Sequence, residues 1–308
     1  VDSWTDLGGG VRVRRSRACA MNSVLLLDAA HAVLVDPGVL PSELDDLADT
    51  VAHAGAAEVT LVFTHSHWDH VLGRPWWPGA DTVAHAGLAA AIARDPAAIA
   101  AEADACTRGL GEPWTRGFTP FVPDVAVRGE TAVARGPWRL VLREAPGHCD
   151  DQATVHVPAL RLLVAGDMLS DLEVPWLDRG PAAYRRTLEG VAARVEAGEV
   201  ETLVPGHGEI ARGAGAVRAR VRRDLRYLEA LEEGVREARA AGLTLGQALA
   251  RLAAIAPGDC DAGFPLADVH RENVRLAWEH TGPDEAGPLE VADDFMARYR
   301  KALRDLAK

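Results

Sequence analysis

The stretch THSHWDH, Thr64 to His70, sets three histidines and an aspartate within seven residues, directly behind the apolar run VTLVF. The whole chain has only 11 histidines. Imidazole nitrogen and carboxylate oxygen are donors that suit zinc, iron or manganese, and a hydrolytic zinc site needs three protein ligands with one position left open for water. An extended segment leaving a strand puts residues i and i+2 on one side. His65 and His67 can therefore address one point in space, while Asp69 and His70 come as the chain turns into the next helix. Further donors should stand at the ends of other strands. Three do: His148 after a Pro-Gly turn in APGHCDD, Asp167 at the end of LLVAGD, and His207 between two glycines in TLVPGHGE.

The elements that must position these residues alternate between sheet and helix, which argues for α/β layers. MNSVLLLDAAHAVLVDPG (21–38) holds two apolar runs around a turn and ends in Asp36-Pro37-Gly38, a hairpin closed by a sharp loop. SELDDLADTVAHAG (42–55) predicts a helix capped by Ser42, with Leu44, Leu47 and Val51 at helical spacing and a glycine to end it. A strand over 58–63 follows, then a strand at DTVAHA, an alanine-rich helix near 87–103, strands near 125–128 and 138–143, and the pair QATVHV and RLLVAGD within 152–167. Beyond residue 213 the character changes. A long amphipathic helix is expected over 217–242, with more helices near 244–256, 266–280 and 288–306. The chain thus divides into a catalytic part, 1–213, and a helical C-terminal part, 214–308.

Composition narrows the partners. The 308 residues are 48% hydrophobic and 25% charged, ordinary values for a globular protein with a sizeable core. No apolar run approaches the roughly 20 residues of a membrane span, and no signal pattern opens the chain, so a cytoplasmic protein is expected. The numbering starts at Val1, which leaves an alternative start codon, processing or trimming open. Four cysteines, at 19, 106, 149 and 260, share no metal-binding or redox spacing and read as free thiols. Of the net charge of −12, residues 1–213 carry −11, from 18 basic and 29 acidic side chains. Such a body repels phosphate backbones and anionic membranes. A small-molecule substrate is expected, with no nucleic acid and no membrane partner; a homodimer stays open.

The constellation resembles the metallo-β-lactamase-fold superfamily, in its branch with a full binuclear site, as in glyoxalase II and the lactonases. The family motif His-x-His-x-Asp-His is matched by His65, His67, Asp69 and His70, and Asp36-Pro37-Gly38 matches a family loop beneath the site. The resemblance covers about residues 10–213. It implies a four-layer αββα fold, one metal held by His65, His67 and His148, a second held by Asp69, His70 and His207, and Asp167 bridging the two. No ligand position is substituted. A lone histidine is more often structural than a ligand, and His31, His53, His85, His156, His270 and His280 are read as structural or surface residues.

The expected chemistry follows from two divalent ions, zinc first, with iron or manganese as alternatives. Two cations about 3.5–4 Å apart lower the pKa of a bridging water toward 7 and polarise the electrophile, so no serine or cysteine nucleophile is needed. Asp69 is the expected catalytic residue beside its ligand role, orienting the water or relaying its proton. The function expected is hydrolysis of a small ester, thioester, lactone or amide. The alternatives are a mononuclear non-haem iron dioxygenase acting on persulfides and, behind it, a phosphodiesterase. Other features read as less informative: LGGGVRV (7–13) as a turn before a strand, Cys149 as a small residue in a site loop, and Arg218, Arg222 and Arg226 as a solvated helix face with an anion clamp as the minority reading. Trp68, Trp76, Trp77 and Trp176 are candidates for pocket wall or for core, and residues 87–130 for a flap.

Overall fold

The computed structural model describes residues 4–255 and 266–280. Two sheets stack face to face. The first runs in chain order through β1 (Trp4–Gly8), β2 (Val11–Arg15), β3 (Asn22–Leu27), β4 (His31–Val35), β5 (Glu58–Phe63), β6 (Asp81–His85) and β7 (Val125–Val127). It is antiparallel up to β4 and parallel from β4 to β7. The second holds β8 (Glu130–Arg135), β9 (Trp138–Glu144), β10 (Ala153–Val157), β11 (Leu162–Val164), β12 (Thr202–Val204) and β13 (Ala211–Arg212), ordered β13-β12-β11-β10-β9-β8.

Alternation along the strands makes three cores. On β3 and β4, Val24, Leu26, Val33 and Val35 point between the sheets and meet Leu140, Leu142, Val155 and Val164 of the second sheet. Their neighbours Leu25, Ala32 and Leu34 point the other way, onto α1 (Pro41–His53) and onto α4 (Pro96–Gly109), which gives Ala103 and Cys106. This is the two-sided burial expected of strands covered by helices. On the far side of the second sheet, Leu163 and Leu203 pack with α5 (Gly180–Glu196), α6 (Ala214–Ala240), α7 (Leu245–Leu252) and α8 (Leu266–His280). The layers are helix, sheet, sheet, helix. Val217, Val221, Leu228 and Leu231 of α6 lie in the same core as Tyr184 and Leu188 of α5, so the boundary at 213/214 is crossed by one continuous apolar cluster.

Several sequence expectations are adjusted. Ser42 does not cap α1: the cap position is Leu40 with Pro41 following, and the Ser42 hydroxyl donates instead to Glu112 at 2.8 Å. The alanine-rich segment is two helices, α3 (Leu88–Ile92) and α4, because Pro96 cannot continue a helix and Asp95 caps a new one by accepting from the Ala98 amide at 2.9 Å. The helix α5 was not foreseen, although Pro181 near its start and Tyr184, Leu188, Val191 and Val195 at helical spacing carry it. The glycines of LGGGVRV form the tight β1–β2 turn, where a Cβ on Gly10 would lie 2.6 Å from the Leu27 carbonyl oxygen. The helix expected near 288–306, the end of that near 244–256, and Cys260 fall outside the described residues. Among the described residues no helix is long and apolar enough to cross a membrane.

Candidate metal centre

Every candidate donor sits where a strand ends. β5 delivers Thr64 to His67, the four-residue helix α2 (Trp68–Val71) carries Asp69 and His70, the β9–β10 loop carries His148, β11 runs into Asp167, and β12 runs into His207. These seven side chains form two groups of potential donor atoms, His65, His67, His148 and Asp167 in one, and Asp69, His70 and His207 in the other. Asp167 lies between them. Its Oδ2 is 3.4 Å from His65 Nε2 and 3.5 Å from His148 Nε2, while its Oδ1 is 3.1 Å from His70 Nε2 and 3.4 Å from His207 Nε2. Asp69 Oδ2 stands 3.3 Å from His207 Nε2. The close fit depends on Gly206, since a Cβ there would lie 2.0 Å from Asp167 Oδ1.

Hydrogen bonds fix which nitrogen faces inward. Asp36 takes an uncommon left-handed conformation, φ 48°, and its carboxylate accepts from the Thr64 amide at 2.7 Å, the Thr64 hydroxyl at 2.6 Å and His70 Nδ1 at 2.9 Å. Thr64 gives its one hydroxyl proton to Asp36, so His65 Nδ1, 3.0 Å from that oxygen, must be the donor. His207 Nδ1 donates to the Cys19 carbonyl at 2.8 Å. In all three rings Nδ1 carries a proton and Nε2 faces the centre, the orientation that metal-binding histidines need. Asp167 is held from behind by its amide, which donates to Gln152 Oε1 at 3.1 Å.

The charge pattern is that of a site built for cations. His65 Nε2, His70 Nε2 and Asp167 Oδ1 are buried and have no hydrogen-bond partner among the described residues. His148 Nε2 and His67 Nδ1 face each other at 3.0 Å. Orphaned buried polar atoms are costly, and one cation in each group would satisfy them. Burial, with the nearby His70 and His67 respectively, pushes His65 and His148 well below the usual imidazole range. Burial opposes protonation of His70 and His207 as well, but the surrounding carboxylates together outweigh it and raise both, Asp167 with Asp69 and Asp36 at His70, and Asp167 with Glu173 and Asp69 at His207. Asp167 itself is held well below the carboxylate range, against the cost of burial, by His70 and His207. The donor set fits divalent metal ions.

The six other histidines lie elsewhere: His31 by Asp28, His53 on the Asp49 carbonyl, His85 by Glu144, His156 on the Glu199 carbonyl, His270 on Tyr227, and His280 on the Leu276 carbonyl. Cys149 is buried, donates to Asp151 and has its thiol pushed up by burial, which leaves it a loop residue rather than a nucleophile. Of the four tryptophans considered for the pocket wall, Trp176 packs on the site, with ring centroids 6.1 Å from His67 and 5.9 Å from His148. Trp68 and Trp77 belong to the core under the first sheet, and Trp76 stacks with Trp114 at 5.8 Å. Arg222 and Arg226 are exposed and Arg218 pairs with Glu196 at 2.8 Å. The arginines that matter to the site were missed: Arg220 donates to the Leu169 carbonyl at 2.9 Å and Arg223 to that of Ser170, tying down the segment after Asp167. Their signal was positional, because both flank the buried stripe Val217, Val221 and Asp224 of α6.

This fold and this cluster define a metal-site protein of the αββα class. The metallo-beta-lactamase superfamily model matches residues 17–207. The chain belongs to that superfamily. No curated protein sequence matches it significantly. Among solved structures it is similar to the stereoselective inverting sec-alkylsulfatase Pisa1 from Pseudomonas sp., with a TM-score of 0.69 at 17% identity, over 94% of this chain and 51% of that one. The chain therefore spans about half the length of the alkylsulfatase. It is similar also to the DIM-1 metallo-beta-lactamase, TM-score 0.54 at 16% identity over 71% of this chain and 94% of that one. The metallo-beta-lactamase from Pontibacter korlensis gives 0.53 at 16% identity, with 71% and 96% covered. At such identities the likeness speaks for the fold.

Proposed function

We propose that this chain is a binuclear metallohydrolase acting on a small carboxylic ester, thioester, lactone or amide. The observation that carries the proposal is Asp167, whose two carboxylate oxygens each face a different group of imidazoles. His65, His67 and His148 would hold one ion, Asp69, His70 and His207 the other, with zinc the expected metal. Two cations bound there would acidify water and polarise the carbonyl under attack. The chain's own residues do the rest. Asp69 is kept ionised, against burial, by His70 and His207, and orients the attacking water. Asp36, Thr64 and the Cys19 carbonyl hold three imidazoles in the tautomer that presents Nε2. Trp176 and Val174 shield the side toward His148.

The cleft beside His148 and Asp167 supports an acyl substrate over a sulfate or phosphate ester. Its described lining includes Glu173, Val174, Trp176, Leu266 and Val269 and no arginine or lysine, whereas tight anion recognition calls for such donors. The test is a panel of chromogenic thioesters, esters, lactones, amides, sulfate esters and phosphodiesters, offered to protein purified without chelator. Chelator-sensitive turnover of at least one acyl compound is expected. Turnover confined to sulfate esters or phosphodiesters would overturn the substrate class, and oxygen uptake on a persulfide would overturn hydrolysis.

A further inference from the structure

α8 belongs to the second helical layer, yet two of its side chains, Leu266 and Val269, line the cleft beside His148 and Asp167. Opposite them stand Val174 and Trp176. The segment carrying these two is tied to α6 by Arg223, which reaches the Ser170 and Glu173 carbonyls. It is held also by Asn273, one helical turn past Val269, which grips the backbone on both sides of Trp176: its amide donates to the Pro175 carbonyl at 2.5 Å and its carbonyl accepts from the Leu177 amide at 3.1 Å.

Asn273 is fixed in turn. Its amide also donates to the Tyr227 hydroxyl at 2.8 Å, Tyr227 donates to His270 Nδ1 at 2.9 Å, and His270 Nε2 donates to the Leu252 carbonyl at 2.8 Å. The directions are forced, because the Leu252 carbonyl can only accept and a neutral ring then offers Nδ1 as an acceptor. Asn273, His270 and Tyr227 are all buried, and a buried, satisfied polar network of this kind specifies one geometry. One network thus joins α6, α7 and α8 to the tryptophan that packs on two candidate metal ligands.

We infer that α8 is the selecting wall of the active site: Leu266 and Val269, with Val174 and Trp176, narrow the apolar slot beside His148 to about 10 Å³, so that only the smallest alkyl group of a substrate fits there, and Asn273 is the positioning residue that sets Trp176. The substrate class rests on the acyl-hydrolase reading; the slot itself does not. The slot excludes water from the side of His148 and offers no charged partner from α8, so selection there is by length and shape. Sequence spacing supports the division of labour. Leu266, Val269 and Asn273 fall at i, i+3 and i+7, one helix face, with the apolar residues at the cleft and the amide beneath it.

The experiment uses the full chain loaded with cobalt, whose visible absorption reports ligands arriving at the metal whatever reaction the enzyme catalyses. Straight-chain carboxylates of increasing length are titrated against the wild type, Leu266→Ala and Val269→Ala. The wild type should bind formate and acetate best, and each further methylene accepted by a slot enlarged by substitution should tighten binding about fourfold. Both variants should move the best-bound length upward by one or two carbons, with metal content unchanged. Asn273→Ala should flatten the length preference and shift the resonance of fluorinated Trp176; should that variant fail to fold, the two alkyl variants decide the slot. Length profiles that superimpose on the wild type in both alkyl variants would overturn the inference. So would an unaltered preference in a folded Asn273→Ala protein. A shifted carboxylate profile together with an inactive acyl panel would leave the slot standing and remove the acyl-hydrolase reading alone.

Discussion

The two groups of donors around Asp167 are built differently. In the group of Asp69, His70 and His207, both imidazoles are anchored from behind by buried groups, the Asp36 carboxylate and the Cys19 backbone carbonyl. In the group of His65, His67 and His148, His65 is anchored through Thr64, but His148 Nδ1 has no hydrogen-bond partner among the described residues and is kept in place by packing on Trp176. The first kind of support gives rigid, pre-formed geometry. The second leaves His148 held by packing, on the wall of the cleft it shares with α8. The difference supports the proposal that substrate meets the centre on the side of His148 rather than over His207.

The largest effect should come from the residue the two groups share. Asp167→Asn keeps the side-chain size and removes the charge common to both, so loss of at least one metal is expected, with turnover falling by more than about a hundredfold, beyond what outer partners usually cost. Metal analysis and kcat on the purified variant check this; full metal content with unchanged kcat would take Asp167 out of the site. Asp36→Ala comes next and should separate the groups. It removes the acceptor of His70 directly and loosens His65 only through the freed Thr64 hydroxyl, so metal affinity at the second group should drop by about 10–100-fold and that at the first group by less. Equal weakening of both would erase the distinction.

How much of this was legible in the chain can be read from the same residues. The seven donors stood out because metal chemistry needs few residue types at constrained spacing, and each follows an apolar run that had to be a strand. Asp36 was visible as part of a loop, but its partners Thr64 and His70 were not, since a hydrogen bond across 28 or 34 positions leaves no local pattern. Gln152 and the Cys19 carbonyl are of the same kind. α8 was expected as a helix, yet nothing in its spacing says that its apolar face meets a metal centre rather than a core. Strands and helices are encoded locally by period and caps, whereas the packing of α6 to α8 onto the second sheet is a long-range property.

A smaller effect separates the groups by pH. In the metal-free chain the carboxylates raise His70 and His207, so each keeps a proton that an incoming cation must displace, while His65 and His148, lowered by burial, are already neutral. Raised values mean competition from protons at higher pH. Affinity at the second group should therefore fall first as the pH is lowered from 8 toward 6 on the scale of ordinary imidazole titration, with more protons released per ion bound there. Calorimetric metal titration in buffers of different ionisation heat measures this; identical pH profiles for the two ions would count against it. The smallest effect is expected of Arg222→Gln and Arg226→Gln, whose side chains lie in solvent: rates on neutral acyl compounds should stay within experimental error. A salt-sensitive loss of phosphodiester turnover in these variants would revive the anion clamp.

The most direct measurement is the number of metal ions bound per chain in protein purified without chelator, by elemental analysis against protein concentration. Two ions per chain are expected, zinc foremost, because Asp167 offers one oxygen to each complete group of donors. One iron per chain, with oxygen consumed on a persulfide and no second ion taken up on titration, would contradict it.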